Sequence, residues 1–259
     1  MSLAQRGVLY PARLPTFRRV PAPEPVGSLV RWFWIPEWQI APGRSSRQQV
    51  IGFPACNLVV EPETVILSGP TTRSSYRDLT GTGWAVGALL RPAAVPHLTS
   101  DPALLRDDSR VLDLPDLAEP VRRAMTMGAD RHRLAVEAFT DWLTTTVPNL
   151  TPEALLANEM AELIERDADI RNVEDAARRL RMSPRTLQRL ARRYVGLPPL
   201  LMIRRRRLQQ AAQRLRSDPD ANLAAVAAEF GYADHAHLAN EFRAVLGVTL
   251  SGYRQRAGS

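Results

Sequence analysis

Two histidines stand two residues apart in the stretch FGYADHAHLANEFRAVLG, which runs from Phe230 to Gly247. Histidine side chains can bind metals, transfer protons or present a hydrogen-bonding edge to a ligand. Positions i and i+2 of a helix do not face each other, so His235 and His237 make a poor chelate. We see no glutamate or cysteine at ligand spacing beside them, and we predict no metal site, no cofactor and no catalytic group. The histidines then either face solvent or contact a partner from the start of an exposed helix.

The same pattern occurs a second time, 51 residues upstream. Residues 173–196 (VEDAARRLRMSPRTLQRLARRYVG) and 222–247 (NLAAVAAEFGYADHAHLANEFRAVLG) each predict a short alanine-containing helix, a turn and a second helix that ends in glycine. The two final glycines, Gly196 and Gly247, are also 51 residues apart. Such a repeat indicates one supersecondary unit used twice. The order of helix, tight turn and helix is that of a helix-turn-helix.

Local residue types support both turns. Ser183 and Asp234 precede the second helices and are residue types that cap helix N-termini. Gly231 can adopt the left-handed conformation that a tight turn requires. Small alanine side chains let the two helices of each unit approach closely; they stand at positions 176, 177, 227 and 228.

At about 100° per residue, the second helix of each unit has an apolar and a polar side. We expect the apolar side to be buried; it contains Leu187, Leu190, Ala191 and Tyr194 in the first unit and Leu238, Phe242 and Val245 in the second. Arginine hydrogen-bonds in pairs to guanine, and asparagine or glutamine to adenine. The polar side therefore predicts double-stranded DNA as the partner, with base contacts from Arg185, Gln188, Arg189, His235, His237 and Asn240. Phosphate contacts, or simple solvation, are expected for Ser183, Thr186, Arg192, Arg193, Arg243 and Arg254. The second unit should be the weaker base reader.

Charge and connector length agree with a DNA partner. From residue 168 onward there are 17 arginines and 8 acidic residues, whereas the preceding part holds 17 arginines and 19 acidic residues. A basic C-terminal third on a near-neutral body is typical of nucleic-acid binding. Between the units, a helix from Leu200 to about Arg216 would span roughly 25 Å, and two helices one DNA turn apart need about 34 Å. The run Arg204 to Arg207 could follow phosphates, although at least one member, Arg207, should be buried or paired.

These residues resemble the AraC/XylS family of bacterial transcription regulators over roughly residues 155–256. The resemblance is carried by SPRTLQRLARRYVG, RLQQAAQRL and VAAEFGYADHAHLANEFRAVLGVTLSGYR. It implies two helix-turn-helix units joined by one long helix and placed in adjacent major-groove segments, with the base-contacting positions named above. The chain departs from the family pattern at Arg181, where the first turn often has glycine, and at Leu250, where proline usually precedes Tyr-Arg.

The N-terminal part has a different pattern of apolar and turn-forming residues. Short apolar runs separated by turn residues, such as SLVRWFWI, QQVIGF, NLVVE, TVILSG and WAVGALL, predict strands. We therefore expect an α+β protein: a β-rich, jelly-roll or barrel-like domain with trailing helices over residues 1–150, and an all-α DNA-binding domain over residues 151–259. The first part resembles, more weakly, the sensing or dimerisation domains of such regulators.

Tryptophans alternate along RWFWIPEW, which on a strand places Trp32, Trp34 and Trp38 on one face. With Phe53 and Trp84 they could line a pocket for a small aromatic or apolar effector; the alternative is the core of a small β domain. His97 is the only histidine before residue 130, so a cupin-like metal centre is not expected.

Composition excludes several classes. The single cysteine, Cys56, precludes an intrachain disulfide and fits a reducing compartment. No apolar run is long enough to span a membrane, and the start lacks a signal-peptide core, so we expect a cytoplasmic protein. The leading hypothesis is a DNA-binding transcription regulator, monomeric or homodimeric, with RNA polymerase and a small-molecule effector as further candidate partners. The alternatives are an adaptor that senses no ligand and a repair enzyme fused to a DNA-binding module.

Overall fold

Strands precede helices along the chain. The computed structural model describes residues 16–51, 53–147, 149–218 and 220–257, apart from the side chains of 51 and 254–257. The strands are β1 (Thr16–Pro21), β2 (Val30–Gln39), β3 (Ser45–Ile51), β4 (Asn57–Val60), β5 (Val65–Ser68), β6 (Ser74–Thr80), β7 (Thr82–Trp84), β8 (Val86–Leu90) and β9 (Ser109–Leu112). The helices are α1 (Pro115–Met125), α2 (Arg131–Thr146), α3 (Pro152–Arg166), α4 (Val173–Arg179), α5 (Pro184–Tyr194), α6 (Pro199–Ser217), α7 (Leu223–Glu229), α8 (His235–Leu246) and α9 (Leu250–Ala257). A β-rich domain followed by a helical region is confirmed.

The strands form an antiparallel sheet in the order β1-β2-β8-β4-β5-β9, with β7 also paired to β2. Strands β3 and β6 pair only with each other and form a separate two-stranded unit, the ribbon. Each apolar run that predicted a strand overlaps an observed strand. The polar strands β1, β6 and β9 were not predicted, because they lie at sheet edges or in the ribbon and lack an apolar run.

Alternation along β2 separates the two faces of the sheet. Phe33 and Ile35 are fully buried against α1 and α2, and the ring of Phe33 meets that of Phe139 edge-on at 5.4 Å. The apolar side of α2 therefore packs on the sheet. Trp32 and Trp34 point to the other face and are half-buried. These two tryptophans are therefore neither part of the main core nor fully exposed to solvent.

The C-terminal helices enclose two further apolar cores. One joins α3, α4, α5 and the start of α6, and its members extend from Ala154 to Ile203 with Ala93 of the first domain. The other joins the rest of α6 with α7, α8 and α9, from Leu208 to Tyr253. Helix α6 is 19 residues long, about 28 Å, and it is the helix shared by both cores. The predicted connector is thus present.

Side-chain caps fix the helix starts as the sequence indicates. Thr151 accepts from the amide of Ala154 at the start of α3, and the caps of α5 and α8 are equally formed. Asn172 and Asn222 cap the first helices of the two units in the same way, which the sequence analysis did not identify. Side-chain oxygens thereby satisfy amides that the first helical turn leaves without partners.

Candidate nucleic-acid interface

The first helix-turn-helix unit consists of α4 and α5. Its predicted apolar side is buried throughout: Leu187, Leu190, Ala191 and Tyr194 are each at most 3% exposed. The predicted base-contacting residues Arg185, Gln188 and Arg189 are exposed together on the opposite side. The structure therefore brings these three side chains to one solvent-facing surface of α5.

The turn before α5 uses an arginine where a glycine is expected. Arg181 has φ of +54°, in the left-handed region that side chains with a Cβ rarely adopt. The next residue, Met182, donates its amide to the carbonyl of Ala177 at 3.0 Å, which closes the turn. Ser183 then accepts from the amide of Thr186 at 3.1 Å. The Ser183 and Thr186 hydroxyls also lie 2.9 Å apart, so both predicted phosphate contacts already take part in the cap.

Arginines on the rest of α5 have different surroundings. Arg192 is exposed. Arg193 is exposed too, but its guanidinium lies 2.8 Å from the Glu153 carboxylate of α3 and 5.4 Å above the ring of Tyr194. The Tyr194 hydroxyl donates to the same carboxylate at 3.1 Å. A phosphate contact by Arg193 would thus compete with an ion pair that ties α5 to α3.

The second unit consists of α7 and α8. Leu238 and Phe242 are fully buried and Val245 is half-buried, in line with the predicted apolar side. The residues predicted to contact DNA, His235, His237, Asn240 and Arg243, are exposed. Gly231 is left-handed with φ of +71°, and Asp234 accepts from the His237 amide at 2.7 Å, as expected. Arg254 lies outside the residues whose side chains the structure describes.

His237 has neighbours that the sequence analysis missed. Its Nε2 lies 4.0 Å from the Glu241 carboxylate, one helical turn along α8. The expectation that no glutamate stands at ligand spacing was wrong, because positions i and i+4 share a helix face. The ring of Tyr232 meets the imidazole edge-on at 5.3 Å. Burial raises the pKa of Glu241, with the nearby guanidinium groups of Arg204 and Arg207 acting in the opposite direction.

The arginine run on α6 mostly faces inward. Arg205 and Arg206 are 6% and 4% exposed, and burial lowers the pKa of Arg205 to about 10. Arg206 donates to the carbonyls of Ile164 at 3.0 Å, Ile170 at 2.5 Å and Asp167. The run can therefore offer only part of its charge to phosphates.

Arg207 is paired, as predicted. It donates Nε to the carbonyl of Phe230 at 2.6 Å and a terminal nitrogen to that of Gly231. Its guanidinium also lies 4.7 Å from the centre of the Tyr232 ring. Arg207 thus holds the turn of the second unit against α6, and Arg204 is the exposed member of the run.

The residues predicted to line an effector pocket do not all meet. Trp32 and Phe53 are in edge-on contact at 5.4 Å, with the Arg31 guanidinium 4.6 Å above Trp32. The Trp34 indole donates to the side chain of Asn57 at 3.0 Å on the same face. Trp84 pairs with Glu37 in the sheet register, and it packs against the core on the opposite face. The structure therefore separates Trp84 from Trp32 and Trp34, because odd and even positions of β2 lie on different faces of the sheet.

A cavity of about 100 Å³ instead lies between the sheet and helices α3, α5 and α6. Its lining combines apolar groups such as Phe53 and Met202 with the polar groups of Arg31, Arg91 and Gln209. Arg91 Nε and Gln209 Nε2 are buried and donate to no acceptor among the described residues. Buried donors of this kind are costly unless a ligand or water accepts from them. This cavity could not be predicted from the sequence, since its walls come from distant segments.

Ion pairs and an amide join the two halves of the molecule around this cavity. The carboxylates of Glu165 and Glu162 on α3 pair with Arg31 and Arg91. Buried Asn158 accepts from the amide of Ala93 at 2.9 Å and donates to the carbonyl of Ser28 at 2.8 Å. Helix α3 is thereby fixed to the sheet domain as well as to the first helix-turn-helix unit.

Within the described ranges, no group of three or more histidine, cysteine, aspartate or glutamate side chains could hold a metal ion. The same part of the chain contains no helix that is long and apolar enough to cross a membrane.

Comparison with known proteins assigns both halves of the chain. Residues 176–256 match the family model described as "Helix-turn-helix domain", and residues 18–111 match "Domain of unknown function (DUF6597)". No curated protein matches the chain. Solved structures of similar fold include ToxT from Vibrio cholerae O395, with 12% identity, coverage of 92% of this chain and 95% of that chain, and a TM-score of 0.41. The 1.65 Å P21 form of Vibrio cholerae ToxT has 11% identity, coverage of 93% and 97%, and a TM-score of 0.42.

Helices α5 and α8 each expose a polar side and bury an apolar side, and residues 176–256 match a helix-turn-helix domain. Together these observations define a helix-turn-helix DNA-binding domain. Residues 176–256 form such a domain of the AraC type, which confirms the resemblance noted in the sequence. The chain therefore carries a helix-turn-helix domain, a class of domain that binds DNA.

Proposed function

We propose that the protein recognises a specific DNA sequence by placing α5 and α8 in two adjacent major-groove segments. The observation that carries this proposal is the arrangement of the two helices. Each exposes base-contacting side chains on one side and is buried on the other, and both are attached to the same helix, α6. In this arrangement Arg185, Gln188 and Arg189 contact bases from the first unit. His235, His237 and Asn240 do so more weakly from the second.

Affinity comes mainly from arginine contacts to phosphates. Arg192 and Arg243 are exposed beside the base-contacting residues, and each phosphate neutralised releases counterions. Ser183 and Thr186 place hydroxyls and the amides of the first turn of α5 at the same surface, which is a favourable position for a phosphate. Arg193 and Arg254 complete the proposed set of phosphate contacts.

A binding titration at several salt concentrations tests this proposal. The logarithm of the association constant for the selected DNA site should fall by about 0.9 per phosphate contact for each unit of log salt concentration. Replacing Arg189 by alanine should weaken binding to that site by about 1–3 kcal/mol and relax the preference at one base pair. The matched control is Arg123→Ala, an exposed arginine on α1. Equal weakening on selected and scrambled DNA would reduce Arg189 to a phosphate contact, and salt-independent binding would contradict the proposal.

We assign a sensing role to the N-terminal part, which we separate from the DNA-binding domain near residue 150. The apolar cores support this boundary, because the first core ends at Val147 and α3 begins the second. The cavity between the sheet and α3 supports an effector that is small and anionic. Its volume of about 100 Å³ is below the roughly 150 Å³ that accommodates benzene. The Glu162 and Glu165 carboxylates in its walls already pair with Arg91 and Arg31. The buried wall donors that have no acceptor among the described residues include Arg91 Nε and Gln209 Nε2, and an anion could accept from these.

Thermal unfolding with a panel of small carboxylates and phosphates tests the sensing role. A ligand that binds only the folded state raises the melting temperature, and Gln209→Leu should reduce that rise because it removes one of the buried donors. Gln213→Leu, four residues further along α6 and exposed, is the control. If no anion changes the melting temperature, the alternative of an adaptor that senses no ligand is supported instead.

A further inference from the structure

The same position of both repeats touches the N-terminal domain. Gly196 lies two residues after the end of α5 and Gly247 directly follows α8, with φ of +79° and +68°. Each glycine lies against a different segment of the sheet domain. The sequence repeat therefore corresponds to a repeated contact, at equivalent points of the two helices that are proposed to enter DNA.

The first contact is with the loop that contains residues 102–105. A Cβ built on Gly196 would lie 2.6 Å from the carbonyl carbon and oxygen of Pro102 and 2.9 Å from the amide nitrogen of Ala103. These are backbone atoms that cannot easily move aside. Arg106 also donates to the Gly196 carbonyl at 3.5 Å. The end of α5 is thus closely seated on the sheet domain.

The second contact is with one face of the ribbon. Gln49 and Tyr76 are register partners, and Ser74 lies on the same face, two residues from Tyr76. Gln49 donates its amide to the carbonyl of Leu246, the last residue of α8. A Cβ on Gly247 would lie 2.9 Å from Ser74 Oγ and 3.7 Å from the Tyr76 hydroxyl.

The ribbon is itself attached to the sheet domain. The Trp38 indole of β2 donates to the Thr80 carbonyl at 3.2 Å, and the Arg77 guanidinium pairs with Glu61 at 2.5 Å. Leu79 is buried on the side of the ribbon that faces away from α8. The ribbon therefore connects the end of α8 to the rest of the N-terminal domain.

Both contacts leave the DNA-facing sides open. They involve the C-terminal ends of α5 and α8, whereas helix-turn-helix proteins contact bases with the N-terminal part of the second helix. Arg185 and Arg189 on α5, and His235 and Asn240 on α8, remain exposed. The docked arrangement is therefore compatible with binding and is not one that blocks it.

Without these contacts, α6 is the main connection between the units. Their apolar cores are separate, one ending at Ile203 and the other beginning at Leu208. One inserted base pair turns the second DNA segment by about 35° relative to the first, which a single helix with small flanking contacts could follow by bending or twisting. A second attachment at the far end of each unit removes that freedom.

We propose that the N-terminal domain fixes the distance and rotational phase between α5 and α8, so that Gln49, Ser74 and Arg106 determine which spacing of the two DNA segments is accepted. This inference rests on the proposed recognition of two segments. It assigns to the ribbon and to the loop at residues 102–105 a role in DNA specificity, although neither contacts bases.

The test measures how strongly the protein discriminates against altered spacing. A DNA site is first selected from random sequence by the wild-type protein, and versions with one base pair inserted or removed between the two segments are prepared. The double variant Gln49→Ala with Ser74→Leu should bind the selected site and lose discrimination against the altered sites. Loss of one neutral hydrogen bond corresponds to about a fivefold change in the docking equilibrium, so the ratio of dissociation constants should fall by about that factor.

The matched control is Ser75→Leu, on the neighbouring ribbon position. Ser75 is exposed and pairs with Val50 on the opposite face, so the same bulk is added without touching Gly247. This control should discriminate as the wild type does. Circular dichroism of each variant verifies that the proteins compared are folded.

A disulfide provides a second measurement within one protein. In the variant Ser74→Cys with Gly247→Cys, Ser74 Oγ lies 2.9 Å from a Cβ built at 247. This is close to the roughly 3 Å that separates one sulfur of a disulfide from the Cβ of the other cysteine. Cys56 should not exchange, because burial raises the pKa of its thiol to about 12. The oxidised form should bind the selected site with wild-type discrimination, and the reduced form should discriminate less.

The outcomes separate this inference from the proposed function. If the oxidised form no longer binds the selected site, the docked arrangement is not the one that binds DNA and the inference is overturned. Unchanged discrimination in the ribbon variant also overturns it, while two-segment recognition stands. If the wild-type protein selects no sequence at all, the proposed function fails and the inference fails with it.

Discussion

Arg206 should be one of the most important polar residues for stability. The structure places its guanidinium among the carbonyls of Ile164, Asp167 and Ile170, where it links α6 to the end of α3 and the following loop. The variant Arg206→Met keeps most of the apolar stem and removes the donors. Hydrogen bonds to a charged donor contribute about 1.5–3 kcal/mol each, and the relief of no longer burying a charge offsets part of their loss. We expect the free energy of unfolding to fall by about 3–5 kcal/mol.

Urea unfolding followed by circular dichroism measures this loss. With a slope typical of soluble domains, the midpoint should fall by about 1–2 M. The control is Arg204→Met, two residues earlier on the same helix, where the arginine is exposed. A surface change of that kind should alter the free energy of unfolding by no more than about 0.5 kcal/mol. If the two variants unfold at the same urea concentration, the division of this arginine run into buried and exposed members is refuted.

Three further predictions concern caps, backbone strain and pH. Asp234→Ala removes the cap of α8 and should cost about 1 kcal/mol of stability, measured by thermal unfolding; an unchanged melting temperature would show that the cap contributes nothing. Arg181→Gly relieves a left-handed backbone and should raise the free energy of unfolding by about 0.5–1 kcal/mol; a loss instead would mean that the arginine side chain stabilises the turn. Burial acts to raise the pKa of Glu37, but hydrogen bonds from Arg131 and His132 outweigh it and lower the pKa below its ordinary 4.5. A carboxyl group whose pKa is lowered by folding stabilises the fold at pH values above its ordinary pKa, and this contribution is lost as the pH falls through its pKa in the folded protein. The free energy of unfolding of Glu37→Gln should therefore depend less on pH in the acid range. An acid unfolding profile identical to that of the wild type would contradict this.

The helix-turn-helix units were predictable because their information is local. The cap residues Ser183 and Asp234, the left-handed Gly231 and the 3.6-residue periodicity of each second helix are all written within a few residues of the feature they determine. Periodicity also sorted α5 and α8 correctly into buried and exposed sides. The strands with continuous apolar runs were equally accessible to this reasoning.

Other features depend on contacts between distant segments and could not be predicted. In a run of four arginines, the sequence does not indicate which side chain will donate to backbone carbonyls. In the structure Arg205 and Arg206 are buried, and Arg207 is paired with the carbonyl of Phe230. The face on which Trp84 lies could not be predicted, because it is determined by the register of β7 against β2. The seat of Gly247 on the ribbon brings together residues nearly 200 positions apart, and the ribbon strands themselves are polar.

Recognition of DNA by both α5 and α8 can be tested by methylation protection of guanines on a selected DNA site, because guanine N7 lies in the major groove. We expect two protected segments on one face of the duplex, with centres about 10 base pairs apart. Protection of the first segment should disappear in Arg185→Ala with Arg189→Ala, and that of the second should weaken in Asn240→Ala. Protection of a single segment, or binding that protects no major-groove guanine, would contradict recognition by two helices.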